Sequence, residues 1–370
     1  MPASELEVLP MPTLRIPAVT DELAAYDYEL PERLIARHPA ARRDESRLLV
    51  VDRAQGTLTH SQMKSLPEFL NAGDCLVLND TRVVPARLLG KRAATGGRWE
   101  GLFLEAADDG SWQVMSQCRG KLQPGEQIEV HPAHAPDSTD RLVLVLEERD
   151  DEGIWRARPS VPTDVWPALE RFGTVPLPPY MRRDLAGSED FERYQTVYAR
   201  HHGSVAAPTA GLHFTPELLE QCSARGVERA FVTLHVGIGT FRPISVERLS
   251  EHQMHSEWSE VSRETVERLE TTAGRGGRRI AVGTTSARAL ESAAAGGMLS
   301  AHRGPTNLFI RPPNQFRVVD CLLTNFHLPR STLLVMVCTL AGRDLIHEAY
   351  AEAIREGYRF YSYGDAMLIL

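Results

Sequence analysis

Short stretches in which apolar and polar residues alternate fill the middle of the chain. They are rich in β-branched and aromatic residues and predict strands at residues 101–106, 112–116, 127–130, 142–146 and 154–157. Turn-forming sequences, such as Asp-Asp-Gly at 108–110 and Pro-Gly at 124–125, separate them. Strands interrupted this often by turns are typical of a small antiparallel barrel or sandwich. An α/β pattern resumes after residue 159, so we predict that this β-module is inserted into a larger domain.

Strand-like and helix-like patterns alternate in the rest of the chain. Strands are predicted at 230–236, 279–283 and 318–326, of which 279–283 is expected to be buried, and helices at 263–272, 287–295 and 345–356. A further helix begins at Pro216 with Thr215 as its cap and ends near Gly226. Repeated strand–helix units indicate a mainly parallel sheet. We therefore predict an α/β protein with an N-terminal extension (1–25), a large α/β domain (26–74 and 160–370) and an inserted β-barrel domain (75–159).

The composition narrows the possible classes of protein. The chain has 370 residues and a formal net charge of −8, so contact with a nucleic acid requires a local cationic patch. Its five cysteines are scattered without a Cys-x-x-Cys pair, which disfavours a zinc ribbon or disulfide framework and indicates a reducing compartment. Residues 1–19 do not resemble a signal peptide, and no apolar run reaches the length of about 18 residues that a membrane span needs. We expect a cytoplasmic protein without membrane contact.

Polar residues and glycines are concentrated on both sides of the helix that begins at Pro216. Glycines let a ligand approach the backbone, and a buried core does not require so many polar groups. A histidine taken alone is more often structural than functional, and Gly-x-Gly at 237–239 is a weak signal without a third glycine. The candidates for ligand contact or chemistry here are Thr209, Gly211, His213, His235, Gly237, Gly239, Thr240 and Phe241.

Two more polar stretches follow predicted strands. The sequence Gly-Thr-Thr-Ser at 283–286 lies where a helix begins, so free N–H groups and three hydroxyls could bind an anion, although ordinary capping explains the pattern equally well. Residues 324–331 have a similar arrangement of a strand end, polar side chains and a capped helix. The substrate-binding candidates in these stretches are Thr284, Thr285, Ser286, Asn325 and His327.

A metal site is the less favoured interpretation of one histidine pair. His252 and His255 have a spacing that could hold a metal if the segment were helical. Residues 257–261 have an extended pattern, and no cluster of further ligands follows. We therefore expect His255 and Glu257 to form hydrogen bonds near the polar loops that flank the helix beginning at Pro216, and we expect no metal.

A group of basic residues lies where the two predicted domains join. Such residues beside a cleft could contact the phosphates of a nucleic acid, although a solvated charged face is the alternative. The candidates are Arg82, Arg87, Lys91 and Arg92.

Several motifs in the same order resemble those of one family. They lie at 26–31 (Tyr-Asp-Tyr-Glu-Leu-Pro), 78–83, 207–215, 234–243, 254–257, 281–288, 323–329 and 360–368. The chain resembles the S-adenosylmethionine:tRNA ribosyltransferase-isomerases of queuosine biosynthesis. The resemblance implies a large, barrel-like α/β domain with an inserted small antiparallel β-barrel domain.

The resemblance also implies a reaction and its substrates. The ribosyl part of S-adenosylmethionine is transferred to 7-aminomethyl-7-deazaguanine at the tRNA wobble position and rearranged to epoxyqueuosine, with release of adenine and methionine. S-adenosylmethionine serves as ribosyl donor, no metal or redox cofactor is implied, and a monomer is expected. A non-catalytic tRNA-binding module and a metal-dependent hydrolase are the rival interpretations.

This chemistry defines what the site must contain. The sulfonium acidifies the adjacent 5′ methylene, so a base is needed, and departure of adenine needs a proton donor. We hypothesise that His213 or His235 supplies base and acid, and that Glu257 and Phe241 lie near the sulfonium. The helix start at 284–286 is expected to bind the methionyl carboxylate.

Overall fold

The computed structural model describes residues 20–183, 185–237, 239 and 244–370, in which the strands form a nine-stranded sheet, a seven-stranded sheet and a two-stranded sheet of Thr81–Val83 and His201–Ser204. The strands are β1 (Arg47–Asp52), β2 (Thr57–Gln62), β3 (Cys75–Asn79), β4 (Thr81–Val83), β5 (Arg87–Arg92), β6 (Arg98–Ala106), β7 (Trp112–Cys118), β8 (Gln127–His131), β9 (Leu142–Arg149), β10 (Ile154–Pro159), β11 (Gly173–Thr174), β12 (His201–Ser204), β13 (Glu228–Leu234), β14 (Glu257–Val261), β15 (Arg279–Val282), β16 (His302–Thr306), β17 (Cys321–Asn325) and β18 (Ala366–Ile369). The α-helices are α1 (Val165–Phe172), α2 (Ser188–Arg193), α3 (Pro216–Ala224), α4 (Arg263–Gly274), α5 (Thr284–Ala293), α6 (Thr332–Ala341) and α7 (Arg343–Arg355). Short 3-10 helices include Met63–Phe69 and Thr209–His213.

The large sheet is mixed and has nine strands in the order β16-β14-β13-β3-β15-β17-β18-β1-β2. Its centre, from β13 through β3 and β15 to β17, is parallel, and β18 is parallel to β1. The remaining neighbours are antiparallel. The prediction of a mainly parallel sheet therefore holds for the centre and for the pair β18 and β1, whereas the other pairs of neighbouring strands are antiparallel.

Both faces of the large sheet are covered. In β3, Cys75 and Val77 pack into the core formed with α4, α5, α6 and α7, whereas Leu76 and Leu78 pack into the core formed with α3 and Met63–Phe69. A strand buried on both faces has a continuous apolar sequence, which explains the run Cys-Leu-Val-Leu. We predicted that the insertion begins at residue 75, but β3 lies at the centre of the large sheet and does not belong to the insertion.

The inserted module is a closed antiparallel barrel of the six strands β5 to β10, as predicted. It closes because β5 pairs with both β6 and β8. Large aromatic side chains, including Trp99, Phe103 and Trp112, fill its interior. We did not predict β5 from the sequence. Leu88 and Gly90 are buried at alternate positions, but the three basic residues of the strand mask this alternation.

Candidate active site

A cavity of about 350 Å³ opens at the carboxyl ends of β15 and β17. The two strands are parallel neighbours, so the loops after them meet at one edge of the sheet, where α/β proteins commonly bind ligands. The cavity volume is within the range of small-molecule sites. Its wall is formed by residues 206–210, 283–285, 324–333 and 361–362, together with Tyr180, Tyr194 and Val236.

The N-terminus of α5 faces this cavity. Gly283 precedes the helix with a φ of 90°, a conformation that favours glycine, and no side chain caps the first N–H groups. Thr284 and Thr285 line the cavity. Ser286 was predicted to join them, but its hydroxyl is buried and donates to the carbonyl of Val282 at 2.8 Å. The positive end of the helix and its N–H groups suit an anionic group of a ligand.

His213 lies behind the cavity wall. Its Nδ1 is 2.7 Å from the Ser46 hydroxyl, and its Nε2 is 3.1 Å from the side-chain amide nitrogen of Asn325. Asn325 and Thr209 do line the cavity, and the Thr209 hydroxyl donates to Asn325 Oδ1 at 2.8 Å. Burial lowers the pKa of His213 to about 4, so the imidazole is neutral at pH 7.

His327, which we predicted as a binding residue, is the histidine in the cavity wall. Its Nε2 is 2.8 Å from the Thr324 hydroxyl, and its backbone N–H donates to the Tyr350 hydroxyl at 3.0 Å. In the described part of the chain, Nδ1 has no hydrogen-bond partner. Burial lowers the pKa of His327 to about 3, so the imidazole is present as the free base at neutral pH.

His235 lies beside the cavity-lining Val236 but is not itself part of the wall. Its Nδ1 is 2.8 Å from the Thr81 hydroxyl, and its ring stacks on Trp258 with centroids 5.2 Å apart. Burial lowers its pKa to about 4. These contacts place His235 at the join between the sheet and β4.

Glu257 forms a buried ion pair with Arg288, at 2.6 Å. It also accepts a hydrogen bond of 2.9 Å from the backbone N–H of Gly237. Arg288 in turn donates to the carbonyls of His255 and Thr306. The carboxylate therefore ties β14 and α5 to the loop after β13, and it does not line the cavity.

Two of the candidate glycines serve the packing of this chain's own side chains. A Cβ at Gly211 would collide with the Tyr198 hydroxyl, and one at Gly239 would collide with the His255 ring. Neither residue is part of the cavity wall. The candidates Thr240 and Phe241 lie outside the described residues.

The cavity also has an aromatic wall that we did not predict. Tyr180 and Tyr361 lie with their ring centroids 4.0 Å apart and their planes 34° apart. Tyr361 has a φ of 75°, and Arg330, which also lines the cavity, has a φ of 58°. Positive φ is uncommon for such residues and concentrates at functional sites. Tyr361 lies within the motif at 360–368, whereas Tyr180 lies in a short 3-10 helix (Pro179–Met181) outside the motifs of the resemblance.

The predicted basic patch is largely neutralised. Three of its four members are paired with carboxylates on the barrel: Arg87 with Glu100 at 2.7 Å, Lys91 with Glu129 at 3.3 Å, and Arg92 with Glu126. Arg82, on β4 at the join, is exposed, and no carboxylate of the described residues pairs with it. The unneutralised positive charge of the patch is therefore at Arg82.

No group of three or more His, Cys, Asp or Glu side chains is placed to hold a metal ion within the described ranges. The His252 ring contacts Phe309, with centroids 5.4 Å apart. None of the described helices is long and apolar enough to cross a membrane.

The two most buried site histidines should make the fold sensitive to acid. Their native pKa values, about 4 for His213 and about 3 for His327, lie below the ordinary 6.5. Below pH 6.5 the unfolded chain therefore binds protons that the native state does not, so the free energy of unfolding falls as the pH falls. Each histidine contributes up to about 1.4 kcal/mol per pH unit between 6.5 and its native pKa.

Urea titrations of wild type and His213→Gln between pH 7 and 5 measure this slope. The variant should lose less stability per pH unit than wild type, whatever its stability at pH 7. Equal slopes would show that the native fold does not lower the pKa of His213.

Comparisons with known proteins agree with this architecture. Residues 23–369 match the family model described as queuosine biosynthesis protein. The S-adenosylmethionine:tRNA ribosyltransferase-isomerase of Acetivibrio thermocellus is 47% identical over 349 residues, which cover 94% of this chain and 99% of that protein. Its counterpart in Acidithiobacillus ferrooxidans is 51% identical, covering 93% and 96%. A crystal structure of S-adenosylmethionine tRNA ribosyltransferase from Thermotoga maritima, 36% identical, matches 94% of this chain and 100% of that chain with a TM-score of 0.53. The resemblance is thereby confirmed, and the chain belongs to the S-adenosylmethionine:tRNA ribosyltransferase-isomerase family of queuosine biosynthesis enzymes.

Proposed function

We propose that this enzyme transfers the ribosyl moiety of S-adenosylmethionine to 7-aminomethyl-7-deazaguanine at the wobble position of tRNA. The product is epoxyqueuosine-tRNA, and adenine and methionine are released. The observation that carries the proposal is the cavity in which the uncapped α5 N-terminus, the neutral imidazole of His327 and the Tyr180–Tyr361 pair converge. No step in this assignment uses a metal or a redox cofactor.

Each part of S-adenosylmethionine has a matching feature in the cavity. The methionyl carboxylate suits the α5 N-terminus at Thr284 and Thr285, where N–H groups and the helix dipole favour an anion. The aromatic faces of Tyr180 and Tyr361 suit the planar adenine or the sulfonium, the latter through a cation–π contact. We assign the substrate to this cavity on that correspondence.

We assign the base for the 5′ methylene to His327. The positive sulfonium makes that methylene acidic, and a neutral imidazole is the form that accepts its proton. His213 and His235, our first candidates, do not line the cavity, and the polar contacts of His213 are to Ser46 and Asn325. His213 and Glu257 are accordingly proposed to position other groups.

Product analysis tests the proposed reaction. Incubation of the enzyme with S-adenosylmethionine and tRNA carrying the deazaguanine precursor should release adenine and methionine in equal amounts. Adenine release separates this activity from a binding module, and its persistence in excess chelator separates it from a metal-dependent hydrolase. Transfer of the methyl group to tRNA with S-adenosylhomocysteine as product would contradict the proposal.

We propose that the tRNA contacts the join between the two domains at Arg82. Arg87, Lys91 and Arg92 contribute less to phosphate binding, because breaking their ion pairs with glutamates opposes any new contact. Arg82→Ala should therefore raise KM for tRNA, leave KM for S-adenosylmethionine unchanged and lower the salt slope of tRNA binding by about 0.7 to 0.9.

The matched control is Arg92→Ala, which removes the same charge from an ion-paired position on the barrel. Its salt slope should remain close to that of wild type. Equal slopes for wild type and Arg82→Ala would place the tRNA surface elsewhere.

A further inference from the structure

A chain of hydrogen bonds runs from Arg43 through the buried His213 to the cavity, and the donor and acceptor of each bond can be deduced. The Ser46 hydroxyl donates its one proton to the carbonyl of Arg43 at 3.1 Å, because a carbonyl only accepts. Ser46 Oγ must then accept from His213, which fixes the proton of the imidazole on Nδ1. A neutral imidazole with this tautomer has a lone pair on Nε2.

The side-chain amide of Asn325 is consequently oriented with its nitrogen toward His213. A second contact independently requires the same orientation, since Asn325 Nδ2 also donates to the carbonyl of Tyr361 at 3.2 Å. Both amide hydrogens are thereby used. Asn325 Oδ1 is left facing the Thr209 hydroxyl at 2.8 Å, and an amide oxygen only accepts.

The Thr209 hydroxyl therefore has its proton committed inside the protein. Thr209 lines the cavity, so what it offers a ligand is a lone pair. A threonine hydroxyl is ordinarily both donor and acceptor, and this network removes the first option. The burial that keeps His213 neutral preserves the direction of the chain at neutral pH.

We propose that Thr209 is a specificity-determining acceptor, which takes a hydrogen bond from a ribose hydroxyl or the adenine amino group of S-adenosylmethionine. His213 is a positioning residue that acts through Asn325. The inference rests on the proposed function, because it assumes that S-adenosylmethionine occupies this cavity. It explains why a fully hydrogen-bonded histidine lies one residue behind the wall.

Calorimetric titration of the enzyme with S-adenosylmethionine and three analogues tests the proposal. The analogues lack the 2′ hydroxyl, the 3′ hydroxyl or the adenine amino group. Wild type should bind one of them roughly 10- to 100-fold more weakly than S-adenosylmethionine, since the acceptor is left unpaired. Thr209→Val, which keeps the shape but not the acceptor, should bind that analogue and S-adenosylmethionine alike, and Thr209→Ser should restore the discrimination.

The outcomes distinguish a failure of the role proposed for Thr209 from a failure of the proposed function. Wild-type binding of S-adenosylmethionine without discrimination among the analogues, or unchanged discrimination in Thr209→Val, would overturn the role of Thr209. Failure of wild type to bind S-adenosylmethionine at all would instead overturn the proposed function. His213→Leu, verified as folded by circular dichroism, should lower the same discrimination ratio, and an unchanged ratio would overturn its positioning role.

Discussion

His327→Gln should lower kcat by roughly 10² to 10⁴, the range expected when a group that transfers a proton is removed. Glutamine is close to histidine in size and retains hydrogen-bonding atoms, so it can keep a contact to Thr324, but it cannot accept a proton at neutral pH. KM for S-adenosylmethionine should change little, because the α5 N-terminus and the tyrosine pair are untouched. Steady-state kinetics of adenine release measure both constants.

His60→Gln is the matched control. His60 lies on the outer strand β2, where its Nε2 pairs with Glu352 at 3.0 Å, and it is remote in the sheet order from β15 and β17. It should have a kcat close to that of wild type. A folded His327→Gln protein with a wild-type kcat would exclude His327 as the base, and a raised KM alone would leave it a binding role.

The fold could be predicted where local pattern and tertiary environment agree. The predicted strands of the barrel are found because a strand with one buried face alternates apolar and polar residues, which is visible in the sequence. The boundary at residue 75 differed because β3 is apolar throughout, and a short apolar run does not reveal which sheet buries it. Turn chemistry fixed the start of α3, where Thr215 accepts from the N–H of Leu218 at 3.1 Å.

The cavity stretches could be predicted, but not the roles of their side chains. His213 and His327 both lie in stretches that combine polar residues with a following capped helix, and nothing in the sequence distinguishes their roles. The difference arises from packing: Asn325 lies between His213 and the cavity, whereas His327 reaches the wall directly. Tyr180 lies in a short 3-10 helix (Pro179–Met181) far from Tyr361 in sequence, so their pairing depends on the whole fold.

Glu257→Gln should lower the free energy of unfolding by roughly 3 to 5 kcal/mol, the usual cost of removing one partner of a buried ion pair. Its side chain is 4% exposed and that of Arg288 is 8% exposed, so water cannot solvate the guanidinium that remains. Glu260→Gln is the matched control on the same strand, because Glu260 is 3.6 Å from the largely exposed Arg303. The Glu260→Gln change should lower the free energy of unfolding by only about 0 to 1 kcal/mol.

The double variant Glu257→Gln Arg288→Met should be more stable than Glu257→Gln, since it removes the unpaired charge. Urea titrations compare the four proteins, and equal losses for Glu257→Gln and Glu260→Gln would mean that the buried pair contributes no more than a surface pair.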